Sequence, residues 1–90
     1  MTLIRYTGDG VVFEGHAGDS AVCHGISAIS QMVANYVDDN DWGDVVSSDG
    51  YLEIKNMKEG YAGNDLFRAM VQALREIELQ YPRNVKIQYK

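Results

Sequence analysis

Apolar positions along this chain recur with two periods, and the points where the period changes divide it into elements. Val22, Ile26, Ile29, Val33 and Tyr36 repeat every three or four positions, the spacing of one helical face. They predict a helix over residues 21–37, ended by Asp38-Asp39-Asn40-Asp41, in which Asn40 takes a left-handed conformation. A second stripe, Phe67, Met70, Leu74, Ile77 and Tyr81, predicts a helix that starts at Asn64 or Asp65 and is stopped by Pro82.

Elsewhere the period is two. Leu52 and Ile54 alternate with Glu53 and Lys55; Val85, Ile87 and Tyr89 alternate with Lys86, Gln88 and Lys90. Such segments are strands with one buried and one wet face. Residues 3–7 and 11–15, separated by Gly8-Asp9-Gly10, read as a hairpin. Asp44–Ser48 and residues 51–57, joined by Asp49-Gly50, read as a second one, and residues 58–63 as a loop. The order is ββαββαβ. Two amphipathic helices need one common surface to cover, so the expected fold is a two-layer α/β sandwich (α+β type) with both helices on one face of a mostly antiparallel sheet.

Composition narrows the picture. Ninety residues make a single domain spanning 1–90. Its core is small, which makes a homodimer a useful source of stability. A hydrophobic content of 46% with one proline is that of a folded chain. The net charge of −5 argues against a nucleic-acid surface, which needs clustered Lys and Arg. No apolar run approaches the roughly 20 residues that span a bilayer, and residues 2–6 lead into Thr7-Gly8-Asp9-Gly10 rather than the core of a signal peptide. A single cysteine forms no internal disulfide and suits a reducing cytoplasm.

The chemistry concentrates in residues 13–30, FEGHAGDSAVCHGISAIS, which hold the only cysteine and both histidines. Ser20 is the expected N-cap of the first helix, with Asp19 beside it as another good cap. Capping by Ser20 places Cys23 at the third helical position, where free N–H groups and the helix dipole favour an anion at the sulfur and donors for an oxyanion, the Cys23 N–H among them. Gly15 and Gly18 bracket the turn that brings His16 back toward Cys23. A thiol beside an imidazole is the kit of a cysteine nucleophile with its base. His24 is a rival base, but a position adjacent on a helix points about 100° away. The bland alternative is a buried structural thiol and a surface histidine. One thiol and two histidines do not make a closed zinc site, so no metal and no cofactor are expected.

Gly15-His16-Ala17, followed by Cys23 with Ile26 and Ser27, resembles the signature of the ribosomal-processing cysteine protease (Prp) family, and the resemblance extends to chain length, element order and the SDGYLEI hairpin. The resemblance implies that Cys23 is the nucleophile and His16 its base, with Gly15 and Ser27 lining the site beside Ala17 and Ser20. It further implies a homodimer whose substrate is the N-terminal extension of a large-subunit ribosomal protein precursor, or a related phage structural protein. Ser20 stands at the family's usual aspartate, His24 at its usual alanine, and the loop of residues 17–22 is short. The substrate is expected to add to an edge strand, with Tyr51, Tyr61 and Trp42 available to line a pocket. The alternative function is a non-catalytic dimeric adaptor that binds a basic ribosomal protein.

Overall fold

Strands and helices form in the expected order, with a short 3₁₀ turn at Tyr61–Gly63 ahead of the second helix. The computed structural model describes residues 1–89. Its elements are β1 (Thr2–Tyr6), β2 (Val11–Glu14), α1 (Ser20–Asp39), β3 (Asp44–Ser48), β4 (Tyr51–Lys55), α2 (Asp65–Gln80) and β5 (Val85–Gln88). The sheet order is β3-β4-β2-β1-β5. Its pairs are antiparallel except β1 with β5, so the mostly antiparallel two-layer sandwich stands, and β2 runs through its middle.

Register decides which face the helices cover. Ile4 lies opposite both Phe13 and Ile87, Phe13 opposite Leu52, and Val11 opposite Ile54. One residue in two therefore faces the helices, and this row joins Val22, Ile26, Val33, Phe67, Met70 and Leu74 in one buried cluster. Burying each large side chain contributes about 1.5–3 kcal/mol. The other sheet face is closed by side chains lying across it. Arg5 pairs with Glu14 at 2.7 Å, the Tyr51 hydroxyl donates to Glu53 at 3.0 Å, and Val12, registered between Arg5 and Glu53, is only 3% exposed.

The α1 stripe departs from its expected line. Buried are Val22, Ile26, Ser30, Val33, Ala34 and Val37, while Ile29 is half-buried and Tyr36 is 38% exposed. The row steps by four where a step of three was expected. It tolerates a small polar residue because the Ser30 hydroxyl donates to the Ser27 carbonyl. Tyr36 instead packs edge-on against Trp42, ring centroids 5.4 Å apart. On α2, Phe67, Met70 and Leu74 are buried, but Tyr81 lies past the last turn and is exposed. Tyr89 likewise falls beyond β5, and Lys90 lies outside the described residues.

The helix caps bring two corrections. Asp19, not Ser20, caps α1: its backbone is extended and its Oδ1 accepts from the N–H groups of Ala21 and Val22 at 3.0 and 3.1 Å. A carboxylate does this better than a hydroxyl, since it also answers the positive end of the helix dipole. At the other end Asn40 has φ −103, and the left-handed residue is Asp41 at φ 53; Asn40 spends its side-chain amide on the Tyr36 carbonyl. β4 stops two residues early because Asn56 turns left-handed at φ 54, held by Asp9, which accepts from the Asn56 N–H at 3.0 Å. No helix among the described residues is long and apolar enough to cross a membrane. Asp19→Ala is expected to lower stability by about 0.5–2 kcal/mol and Ser20→Ala by less than about 0.5 kcal/mol, a ranking that thermal denaturation of the two variants measures.

Candidate active site

The chain leaves the central strand at Glu14 and is helical again by Ser20. So tight a reversal demands glycine at two points. Gly15 has φ +88, and a Cβ there would lie 2.5 Å from the Met1 carbonyl oxygen; Gly18 has φ +79. Between them Ala17 is buried and held from both sides. Its N–H donates to Cys23 Sγ at 3.3 Å, and its carbonyl accepts from the Asn84 side-chain amide at 2.7 Å. Asn84 is itself anchored, its carbonyl accepting from the Thr2 N–H at 2.8 Å. The loop is thereby tied to the start of β1 and to the thiol.

Cys23 is a free, half-buried thiol one turn into α1. Capping by Asp19 moves it to the fourth helical position, so its N–H makes the ordinary helical bond to the Asp19 carbonyl at 2.9 Å. The N–H groups of Ala21 and Val22 are taken by the Asp19 side chain. The expected supply of free oxyanion donors at the helix start, including the Cys23 N–H, is therefore absent at these three positions. What the sulfur has is the Ala17 N–H.

His16 is placed by the second hairpin. The Gly15 N–H donates to the Gly50 carbonyl at 2.8 Å, and the imidazole lies against Gly50 so closely that a Cβ added there would be 3.0 Å from Nε2. Gly50 also has φ +68, so two independent constraints exclude a side chain. His16 and Cys23 line one cleft of about 430 Å³ together with Gly15 and Ser27, and with Asp49 and Tyr51 from the hairpin. Ser27 is four residues after Cys23 and shares its helix face.

Of the remaining expected site residues, Ala17 reaches the cleft through its hydrogen bond to the sulfur, while Ser20 is exposed and outside the cleft lining, as is His24. Tyr51 lines the cleft, but Trp42 and Tyr61 line a separate cavity of about 380 Å³. The Tyr51 hydroxyl itself is spent on Glu53 on the sheet face away from the helices; that hydrogen bond first, and then desolvation, shifts the phenol above its ordinary range. Among the described residues no cluster of three His, Cys, Asp or Glu groups is placed to hold a metal. Sequence reasoning missed Asn84, whose partner is 67 positions away. It read Gly50 as a turn residue only, because nothing local signals the imidazole beside it.

The cysteine protease Prp family model matches residues 6–86. The chain belongs to this family. As a member of the Prp family it is a cysteine protease, not an adaptor. Solved structures agree in fold. An essential ribosomal processing protease Prp from Staphylococcus aureus, in complex with a covalently linked product peptide, superposes with a TM-score of 0.77 at 24% identity, covering 99% of this chain and 97% of that one. The Staphylococcus aureus protease with a substrate peptide gives the same TM-score at 21% identity and the same coverage. A protein from Streptococcus mutans gives 0.69 at 18% identity, covering 98% and 90% of the two chains. No curated protein matches the chain.

Two variants test this architecture without touching the thiol or the imidazole. Gly50→Ala is expected to push His16 from its seat and cut peptide-bond cleavage at least tenfold while the protein stays folded. Asn84→Ala leaves the Ala17 carbonyl unpaired and is expected to cost about 1–3 kcal/mol as well as activity. Cleavage rates and thermal midpoints measured side by side check both.

Proposed function

We propose that this protease removes the N-terminal extension of a large-subunit ribosomal protein precursor, with Cys23 as nucleophile and His16 as its acid–base partner. The observation that carries the reading is that the chain's only cysteine and His16 line the same cleft, on a fold shared with a ribosomal processing protease that binds peptide. The Cys23 thiolate attacks the scissile carbonyl carbon. The imidazolium of His16 gives its proton to the leaving amine, releasing the C-terminal fragment and leaving the N-terminal fragment as a thioester on Cys23. His16 then takes a proton from water, whose oxygen attacks the thioester and frees the fragment as a carboxylic acid. The Ala17 N–H supports the sulfur's negative charge before attack and after departure.

Two features of the sheet edges support an extended substrate running along β3. At the β5 edge the Ile87 N–H is already taken by the Glu78 carboxylate at 2.7 Å. The β3 edge is outermost on the other side, and its Ser47 and Ser48 line the cleft. An added strand along β3 leads directly past Gly50 to Cys23. Cys23→Ala is expected to abolish conversion of an extended precursor to its mature form, and His16→Ala to slow it by about 10²-fold or more. Mass spectrometry of the precursor after incubation reads both, and unimpaired cleavage by either variant contradicts the assignment.

The same reading includes a two-fold dimer. The exposed side of α1 carries Met32 and Tyr36, 54% and 38% exposed, on the helix that holds Cys23. A self-complementary contact there braces the site. Light scattering is expected to give about twice the 10.0 kDa of one chain, and Tyr36→Asp to halve that mass; a monomer with full activity contradicts the dimer.

A further inference from the structure

A third cavity, of about 600 Å³, lies at the opposite end of β1 from Cys23 and shares no lining residue with the cleft of Cys23 and His16. Thr2 belongs to one and Tyr6 to the other, about 13 Å apart along the strand. Its size is that of small-molecule sites, roughly 300–1,000 Å³. The walls are aromatic. Phe67 meets Tyr6 and Tyr61 edge-on, ring centroids 6.2 and 5.0 Å away, and Tyr89 stacks on Tyr6 at 5.6 Å.

Two further observations point to a ligand with polar and charged groups. Arg68 and Arg75, two turns apart on α2, both line this cavity. The one ion pair among the described residues is Arg5–Glu14, so neither guanidinium has a carboxylate partner, in a chain where acidic residues outnumber basic ones 13 to 8. The Tyr6 hydroxyl, moreover, is buried with no hydrogen-bond partner, a state that ordinarily costs free energy. Burial, with Tyr89 and Glu78 nearby, raises its pKa, so it is a neutral phenol able to donate or accept.

We propose that this cavity binds a small planar aromatic anion: a ring that stacks among Tyr6, Tyr61, Phe67 and Tyr89 and an acidic group, phosphate or carboxylate, held by Arg68 and Arg75. Flat aromatic walls favour a π-face, and the planar fork of arginine suits a two-oxygen anion. Both sources of this chemistry are available in a cell, nucleoside phosphates and aromatic carboxylic acids. The site is independent of peptide cleavage, and its test does not rely on the catalytic reading.

The experiment titrates the intact protein with AMP, phenylpyruvate, adenosine and inorganic phosphate, following backbone and side-chain NMR shifts. Saturable shifts at Tyr6, Phe67, Arg68 and Arg75, with none at His16 or Cys23, are expected for AMP or for phenylpyruvate; which of the two binds identifies the source. Adenosine and phosphate alone, each lacking half of the chemistry, are expected to bind at least tenfold more weakly. Arg75→Gln and Arg68→Gln are exposed changes expected to leave the spectrum folded and to weaken binding about tenfold or more each. No saturable shift with either aromatic anion at millimolar concentration overturns the proposal, as does binding that ignores both arginine substitutions.

Discussion

The constraint on which this structure turns is the distance between the end of β2 and the start of α1. The chain leaves the middle strand of the sheet and becomes a helix lying on that sheet within five residues, 15–19. Only left-handed glycines at 15 and 18 allow it. The buried residues of α1 reach Ile4, Phe13 and Leu52 because the helix begins where it does, and the same reversal sets His16 and Cys23 in one cleft. Core and site thus share one cause. A substitution that lengthens or stiffens this turn differently disturbs both.

The turn is short enough to need support, and it receives it from its own last residue and from two distant parts of the sequence. Asp19 fixes the helix start, Asn84 holds the Ala17 carbonyl from the approach to β5, and Gly50 receives both the Gly15 N–H and the imidazole of His16. The result is a candidate site with few dedicated parts: one thiol and one imidazole lining the same cleft, and one backbone N–H on the sulfur. Its geometry comes from neighbours whose own role is structural, the usual way a small scaffold holds side chains in register.

Much of this was legible in the sequence. The alternation in residues 51–55 and 85–88 and the helical stripes identified β4, β5 and both helices, because each buries one face against a common core; the turns at Gly8-Asp9-Gly10 and Asp49-Gly50 marked the remaining strands. Gly15, Gly18, His16 and Cys23 stood out as local residue types at suggestive spacings. What was not legible was long-range or a matter of competition between equals. Asp19 and Ser20 are both good caps, and only the observed backbone says which side chain turns back to the first free N–H groups. The error carried forward, since moving the cap by one residue commits the Cys23 N–H to the helix. Asn84 and Gly50 meet the loop only once the sheet has assembled, and Tyr36 left the core stripe because 3.6 residues per turn allowed a step of four.

The most direct measurement of the central claim, that the β2–α1 turn makes one reactive pair, is intact-mass analysis of the protein quenched in acid during turnover of an extended ribosomal protein precursor. The account predicts a covalent adduct equal in mass to the released N-terminal fragment less one water, located on Cys23 by peptide mapping and missing from His16→Ala. Cleavage that proceeds with no adduct on Cys23 in any quench, or an adduct mapped to another residue, contradicts it.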